Sequence, residues 1–165
     1  MSTYADLFVA NLFHVTLYSV GREPILVNEL LMRLVQQAWI SAQQRYPHER
    51  IGYLFLPEQM QVLLTPKVQV TVDEIVQGMR RHFQREYHEL LTMPGDLLLW
   101  QEEYEAHHIL DVEELALYLD HMHYQPVQRG FVDRPEEWPY SSFTLWQERG
   151  IYPPRWGAGS QERTD

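Results

Sequence analysis

Residues 51–65 read IGYLFLPEQMQVLLT, and this stretch decides the fold. It holds two runs of mostly apolar, strand-forming residues, 51–56 and 60–65, which are separated by Pro57-Glu58. Two such runs joined by a short turn are typical of a β-hairpin. The stretch therefore predicts two adjacent antiparallel strands, around which the other elements are arranged.

The residues before this hairpin predict one strand and one helix. Residues 13–18, FHVTLY, are rich in β-branched and aromatic side chains, and the run stops at Gly21. Between Asn28 and Pro47 the apolar residues recur at helical spacing. A strand and then a helix thus precede the hairpin.

The residues after the hairpin predict a second helix, a fourth strand and a third helix. Thr71 and Glu74 form a capping-box pattern that begins the second helix. Residues 97–100, LLLW, predict the fourth strand, and a continuation toward Ile109 stays open. Residues 111–126 predict a helix that an aspartate caps and a proline ends.

The order β-α-β-β-α-β followed by a further helix predicts a ferredoxin-like α+β fold, an antiparallel sheet with helices on one face. Residues 1–156 are predicted to form a single domain with an aromatic C-terminal extension, and residues 157–165 a flexible tail. Many functions share this fold, so the fold alone assigns none.

The composition indicates a packed globular chain. Of 165 residues, 45% are hydrophobic and 22% charged, and none is cysteine, which excludes disulfides, thiolate metal sites and a cysteine nucleophile. No run reaches the roughly 20 apolar residues of a membrane span, and the N-terminus lacks the basic start of a signal peptide. We expect a cytoplasmic protein without membrane contact.

The charge argues against broad, non-specific DNA binding. The formal net charge is -10, with 23 acidic and 13 basic residues. Proteins that hold nucleic acid mostly do so by neutralising phosphates, and an acidic total opposes this. A local basic patch remains compatible with that total.

Several segments stand in a distinctive order along the chain. They are FHVT (13–16) with GREP (21–24), LPE (56–58) with VLLTP (62–66), WQ (100–101), and YLDHMHYQPVQRGFV (118–132), followed by RP (134–135), WPYSS (138–142) and RGIYP (149–153). In their order and spacing they resemble the REP-associated tyrosine transposases, a branch of the single-tyrosine HUH transposases. The resemblance covers almost the whole chain, and its C-terminal part is the most specific.

The resemblance implies a particular chemistry. Family members carry a His-x-His pair on a strand, where residues two apart face the same way and grip one divalent ion, Mg²⁺ or Mn²⁺. A tyrosine on a later helix attacks a DNA phosphate, and an Asn or Gln one turn further along completes the metal site. The ion polarises the phosphate.

The central positions of this pattern are changed here. Gln59 and Gln61 stand at the His-x-His positions, and His121 stands at the position of the tyrosine. Gln125, where the family has Asn, is the one position still compatible with a metal. Glutamine amides are weak replacements for imidazole, so we expect that the metal, and cleavage with it, are lost.

Relocated chemistry is the alternative. Tyr118 and Tyr124 flank His121 on the predicted helix, but a displaced nucleophile loses most of the rate that positioning provides. His121 is itself a conceivable nucleophile, or a metal ligand together with a set of other histidines. Structural, hydrogen-bonded histidines are the simpler interpretation of that set, His107, His108 and His123.

Two groups of residues are candidates for nucleic-acid contacts. Arg80, Arg81 and Arg85 form the densest basic cluster, and Arg129 follows the third helix. A solvated helix face is the competing interpretation of the cluster. The C-terminal aromatic side chains of residues 138–156 are expected to pack in the core more readily than to stack on unpaired bases.

Three functions follow as hypotheses. The leading one is a transposase-like protein that binds single-stranded or hairpin DNA without cleaving it. The second is a protein-interaction module that uses the acidic surface of a retired transposase scaffold. The third is an active DNA transposase or nuclease with a relocated nucleophile.

Overall fold

A four-stranded antiparallel sheet organises the chain, whose computed structural model describes residues 2–92 and 98–157. The strand order is β2-β3-β1-β4. The elements are α1 (Tyr4–Leu7), β1 (Phe13–Tyr18), α2 (Glu29–Arg45), β2 (His48–Leu56), β3 (Gln59–Pro66), α3 (Val72–Leu91), β4 (Glu105–His108), α4 (Val112–Gln128) and α5 (Phe143–Glu148). The predicted antiparallel α+β fold is thus confirmed.

The hairpin of β2 and β3 lies beside the central strand β1. β3 pairs with β2 on one side and with β1 on the other. Because its side chains alternate, Met60, Val62 and Leu64 face one side of the sheet, and Gln61 and Leu63 face the other. β3 therefore contributes to two separate packed layers.

Two apolar cores hold the helices against the sheet. The main core joins one face to α2 and α3, where Trp39, Phe83 and Val35 are buried. The second core joins the opposite face to α4 through Leu115 and Leu119. The two helices of the β-α-β-β-α-β unit share one face as predicted, and the further helix α4 covers the other face.

The helices begin where the capping patterns place them. The Thr71 hydroxyl accepts from the backbone N–H of Glu74, and the Glu74 carboxylate accepts in return from the backbone N–H of Thr71. Asn28 and Asp111 cap α2 and α4 without this reciprocal bond, since only their side chains accept, from the backbone N–H of Leu31 and of Glu114. α4 extends to Gln128, past the predicted end at the proline two residues earlier.

The fourth strand lies within the continuation toward Ile109 that the sequence left open, and not at residues 98–100. Residue 97 lies outside the described residues, Leu98 is 69% exposed, and Trp100 makes only an isolated bridge to Ser19. The fourth strand is β4, which pairs with residues 13–16 of β1. All four of its side chains are exposed, so this edge strand carries no apolar alternation for the sequence to reveal.

The C-terminal extension packs as a third apolar cluster. Phe143, Trp146 and Tyr152 are buried together. The Phe143 and Tyr152 rings are stacked with centroids 4.7 Å apart, and the ring centroids of Trp156 and Tyr152 are 4.4 Å apart. No helix in residues 2–92 and 98–157 is long and apolar enough to cross a bilayer.

Candidate functional site

The four positions singled out in the sequence converge on one face of the sheet. Gln59 and Gln61 are two apart on β3 and face α4, whereas Met60 between them points into the main core. His121 and Gln125 are one turn apart on α4 and face the same space. These four side chains and His14 are joined by hydrogen bonds and are called the glutamine–histidine cluster.

Gln61 is the centre of the cluster and is only 4% exposed. Its amide nitrogen donates to Gln59 Oε1 and to Gln125 Oε1, each at 3.0 Å. Its amide oxygen accepts from His14 Nε2 at 3.0 Å. The Gln125 amide in turn donates to His121 Nε2 at 3.1 Å. Five side chains from β1, β3 and α4 are thus joined in one hydrogen-bonded network.

His14 is the member of the cluster that sequence reasoning missed. It lies on β1 opposite Leu63, on the face that α4 covers. Burial lowers the pKa of His14 to about 4, with smaller contributions in the same direction from His107 and His121. His14 is therefore uncharged at neutral pH. Its signal in the sequence was the alternation of residues 13–18, which places His14 on the α4 side.

The cluster does not fit a divalent metal ion. The amide oxygens of Gln59, Gln61 and Gln125 already accept hydrogen bonds from within the network. Such oxygens are weak ligands beside imidazole or carboxylate, and the cluster contains no carboxylate. Within residues 2–92 and 98–157, no group of three His, Asp or Glu side chains has the geometry to hold an ion.

Two carboxylates near the cluster are directed elsewhere. Asp120, next to His121, accepts from the Tyr4 hydroxyl, and burial raises the pKa of Asp120. Glu58, next to Gln59, is paired with Arg129. Burial acts to raise the pKa of Glu58, but Arg129 outweighs it and holds the pKa below its usual value.

The two alternative tyrosines lie in different surroundings. Tyr118 packs against His14 and His107, with ring centroids 4.9 Å apart in both pairs, so it borders the cluster. Tyr124 contacts Trp156 edge-on at 6.2 Å, in the C-terminal aromatic cluster. Only Tyr118 is placed near the position that a relocated nucleophile would require.

The remaining histidines do not assemble into a metal site. His107 pairs with Glu114, and His108 Nε2 donates to the Ala10 carbonyl at 2.8 Å. His123 is fully buried, and its two ring nitrogens each lie 2.7 Å from a hydroxyl, those of Tyr152 and Ser142. Burial lowers the pKa of His123 to about 3.

An open cleft of about 670 Å³ adjoins the cluster. Arg22 and Arg129 border it, together with the Glu58 carboxylate that is paired with Arg129 and the amides of Gln59, Gln125 and Gln128. The Arg22 guanidinium lies 3.6 Å from the centroid of the Tyr18 ring. The cleft can therefore offer two guanidinium groups and several amides to a ligand on the outer edge of the cluster.

The four predicted arginines do not converge. Arg129 borders the cleft beside the cluster, whereas Arg80, Arg81 and Arg85 lie on α3, across the sheet. Arg80 donates to the backbone carbonyls of Gln101 and Glu102, and its guanidinium is half-buried. Arg80 therefore anchors the segment before β4, and Arg81 and Arg85 are more accessible.

The chain is similar in sequence to two curated proteins. No family model matches it. A Haemophilus influenzae protein named as a REP-associated tyrosine transposase is 27% identical over 130 residues, covering 74% of each chain. The Escherichia coli REP-associated tyrosine transposase is 24% identical over 125 residues, covering 75% of this chain and 72% of that protein.

Solved structures share the fold. A REP-associated tyrosine transposase bound to a REP hairpin superposes with a TM-score of 0.75 and 21% identity, covering 93% of both chains. A Deinococcus radiodurans protein named as a transposase superposes with a TM-score of 0.50 and 15% identity, covering 65% of this chain and 85% of that one.

Fold and sequence together define a transposase-related α+β domain, in which amide and imidazole side chains from β1, β3 and α4 form a hydrogen-bonded cluster. The chain is a homologue of the REP-associated tyrosine transposases.

Proposed function

We propose that the protein binds single-stranded or hairpin DNA and does not cleave it. The observation that supports the absence of cleavage is the glutamine–histidine cluster. There the amide oxygens of Gln59, Gln61 and Gln125 accept hydrogen bonds from within the cluster, that of Gln61 from His14. A metal ion would have to break this network to bind. We therefore also propose that DNA binding needs no divalent cofactor.

The DNA-binding half is supported by the homologues and by the cleft beside the cluster. A structural neighbour over 93% of this chain was solved with a hairpin bound. Arg22 and Arg129 border the cleft, and guanidinium groups bind phosphate oxygens in a bidentate way. Amides on the same wall can hydrogen-bond to unpaired bases. Arg129 and, less directly, Arg80, Arg81 and Arg85 stay the predicted contacts.

Fluorescence anisotropy with labelled DNA tests binding. We expect the protein to bind a hairpin more tightly than a duplex of the same stem, with an affinity that falls as salt rises. EDTA should leave the affinity unchanged. Neutralising one guanidinium with Arg129→Gln should weaken binding, whereas Arg134→Gln, a matched neutralisation of an exposed arginine away from the cleft, should not.

Incubation with single-stranded DNA and Mg²⁺ or Mn²⁺ tests the loss of cleavage. We expect neither shortened DNA nor a covalent protein–DNA adduct. An adduct that disappears in Tyr118→Phe would establish relocated chemistry instead, because Tyr118 is the tyrosine that borders the cluster. His121→Ala tests histidine as the nucleophile in the same assay.

A protein-interaction module is the second candidate, favoured by the net charge of -10. Such a surface repels polyanions and attracts basic partners. Weak, salt-insensitive anisotropy for every oligonucleotide would favour this candidate over DNA binding.

A further inference from the structure

A second cleft lies between α2 and α3, on the opposite face of the sheet from the glutamine–histidine cluster. Its volume is about 250 Å³, and its walls include Ser41, Arg45, Arg81 and Arg85. A shallower concavity of about 430 Å³ continues along α3 and shares Arg81 and Arg85 with it. The two together form a basic groove along α3.

Close packing of Tyr46 against Gly78 shapes one wall of the groove. A Cβ on Gly78 would lie 2.9 Å from two carbons of the Tyr46 ring, so glycine is what allows the ring to lie against α3. The Tyr46 hydroxyl accepts a hydrogen bond from Arg81 at 3.1 Å. Arg85 is likewise held by its contact with His82 Nδ1 at 3.3 Å. Both guanidinium groups are thus oriented by contacts with an aromatic side chain, Tyr46 for Arg81 and His82 for Arg85.

The positive charge of the groove is largely uncompensated. Arg33, Lys67 and Arg129 each have a carboxylate oxygen within 3 Å. Among the described residues, by contrast, no carboxylate lies within ion-pair distance of Arg45 or Arg81. The nearest carboxylate oxygen to Arg85 is that of Glu86, 3.7 Å from Nε. Two guanidinium groups without a carboxylate partner, and a third with only a distant one, thus face the groove, although the chain has a net charge of -10.

We propose that this basic groove binds the phosphate backbone of a nucleic-acid strand, as a second contact surface separate from the cluster side. Guanidinium groups present fixed pairs of N–H donors that match phosphate oxygens. Arg81 and Arg85 are one helical turn apart, about 6 Å along the helix axis. A row of guanidiniums along an open groove suits a polymer of repeating charge better than one small anion. The inference rests on the proposed DNA binding and adds where the backbone lies.

The salt dependence of binding to a labelled oligothymidine strand tests the groove. Each phosphate neutralised on single-stranded DNA contributes about 0.7 to the slope of log affinity against log salt. The double variant Arg81→Gln/Arg85→Gln should therefore lower the magnitude of that slope by about 1.4. Arg81→Lys/Arg85→Lys keeps both charges and should keep the slope.

A charge-matched control separates local contacts from the long-range field. Arg33→Gln/Arg149→Gln removes the same charge from exposed arginines outside the groove and should leave the slope at the wild-type value. Thermal unfolding of every variant confirms that the fold is kept. Equal slopes for the groove and control variants would overturn the proposal.

A hairpin run in parallel distinguishes this inference from the proposed function. If the groove variants alter the slope but the wild type shows no preference for the hairpin, the groove stands and structure-specific binding fails. If the hairpin is preferred and the groove variants behave like the control, structure-specific binding stands and the groove proposal fails. A wild type that binds neither probe contradicts both.

Discussion

Gln61 lies at a position that the family resemblance predicts for a metal ligand, and it is the centre of a hydrogen-bonded network that joins β1, β3 and α4. Here the Gln61 amide reaches His14, Gln59 and Gln125 at 3.0 Å each and links three elements directly. A buried polar group with all its partners satisfied stabilises one arrangement of the surrounding elements.

Restoring imidazole at two of these positions should create a metal site. In Gln59→His/Gln61→His, two imidazoles would face the same side of β3 near His14, with Gln125 as a further ligand. We expect Co²⁺ to give ligand-field absorption bands with this variant and none with the wild type, because imidazole is a far better ligand than an amide oxygen.

A control for added histidines is available on α2. Gln37→His/Gln44→His adds the same number of imidazoles at exposed positions seven residues apart. Bands of equal strength in this control, or in the wild type, would contradict the prediction.

His123 should make stability depend on pH. Its pKa is about 3 in the folded protein, so between about pH 3 and its ordinary value of 6.5 the unfolded chain binds the extra proton. The contribution of His123 to the free energy of unfolding is therefore constant above pH 6.5 and falls as pH is lowered through that window, by up to about 1.4 kcal/mol per pH unit.

Urea unfolding between pH 4 and pH 7 measures this effect. His123→Gln should reduce the slope of the unfolding free energy against pH by the equivalent of up to one bound proton. It should also lower the free energy of unfolding at pH 7 by about 1–3 kcal/mol, because a buried hydroxyl of Ser142 or Tyr152 loses its partner. His108→Gln, at an exposed histidine, should keep the wild-type slope. An unchanged slope in His123→Gln would show that this histidine is not the source.

At the scale of elements, the contact between α2 and α3 depends on a small residue. Gly78 lies inside α3, where alanine would ordinarily stabilise the helix by about 1 kcal/mol. Its Cβ, however, would meet the Tyr46 ring at 2.9 Å. Close packing therefore explains a residue that helix propensity alone disfavours.

A double-mutant cycle should reverse the sign of the Gly78→Ala effect. Alone, Gly78→Ala should destabilise the protein by about 1–2 kcal/mol through overpacking. In a Tyr46→Ala background the obstacle is gone, and the same substitution should stabilise by about 1 kcal/mol. Denaturant unfolding of the four proteins gives the coupling. Additive effects would mean that Tyr46 moves aside without strain.

At the scale of the whole molecule, the C-terminal extension closes the structure. Tyr152 contacts Phe143 and lies 2.7 Å from the buried His123, so the last described segment supports a polar group inside the protein. The predicted domain, residues 1–156, includes this segment and excludes the residues that follow.

Two truncations test that domain boundary. A chain ending at Gly157 should unfold in one transition at the wild-type temperature. A chain ending at Gly150 should lose several degrees at least, because it exposes Phe143 and leaves His123 without Tyr152. Differential scanning calorimetry distinguishes the two. Equal losses for both truncations would move the boundary beyond residue 157.

Features that depend on near neighbours could be predicted from the sequence. The strands of residues 13–18 and of the hairpin follow from composition and a short turn, and the caps at Asn28, Thr71 and Asp111 follow from bonds spanning three residues. β4 stayed only an open continuation of the predicted strand, because an edge strand with four exposed side chains has no apolar alternation to reveal. The four candidate positions, Gln59, Gln61, His121 and Gln125, are likewise predicted from the order of motifs along the chain.

Sequence alone thus determined the antiparallel α+β class and the relationship to the transposases, and it predicts changed functional positions at Gln59, Gln61 and His121. Only the tertiary structure decided which side chains these residues contact. It brought His14 to Gln61 across β1 and β3, joined Gln125 to Gln61 and His121, and separated Arg81 and Arg85 from Arg129 by a whole sheet. These outcomes depend on strand register and on which face each helix covers, and both are set by long-range packing rather than by neighbouring residues.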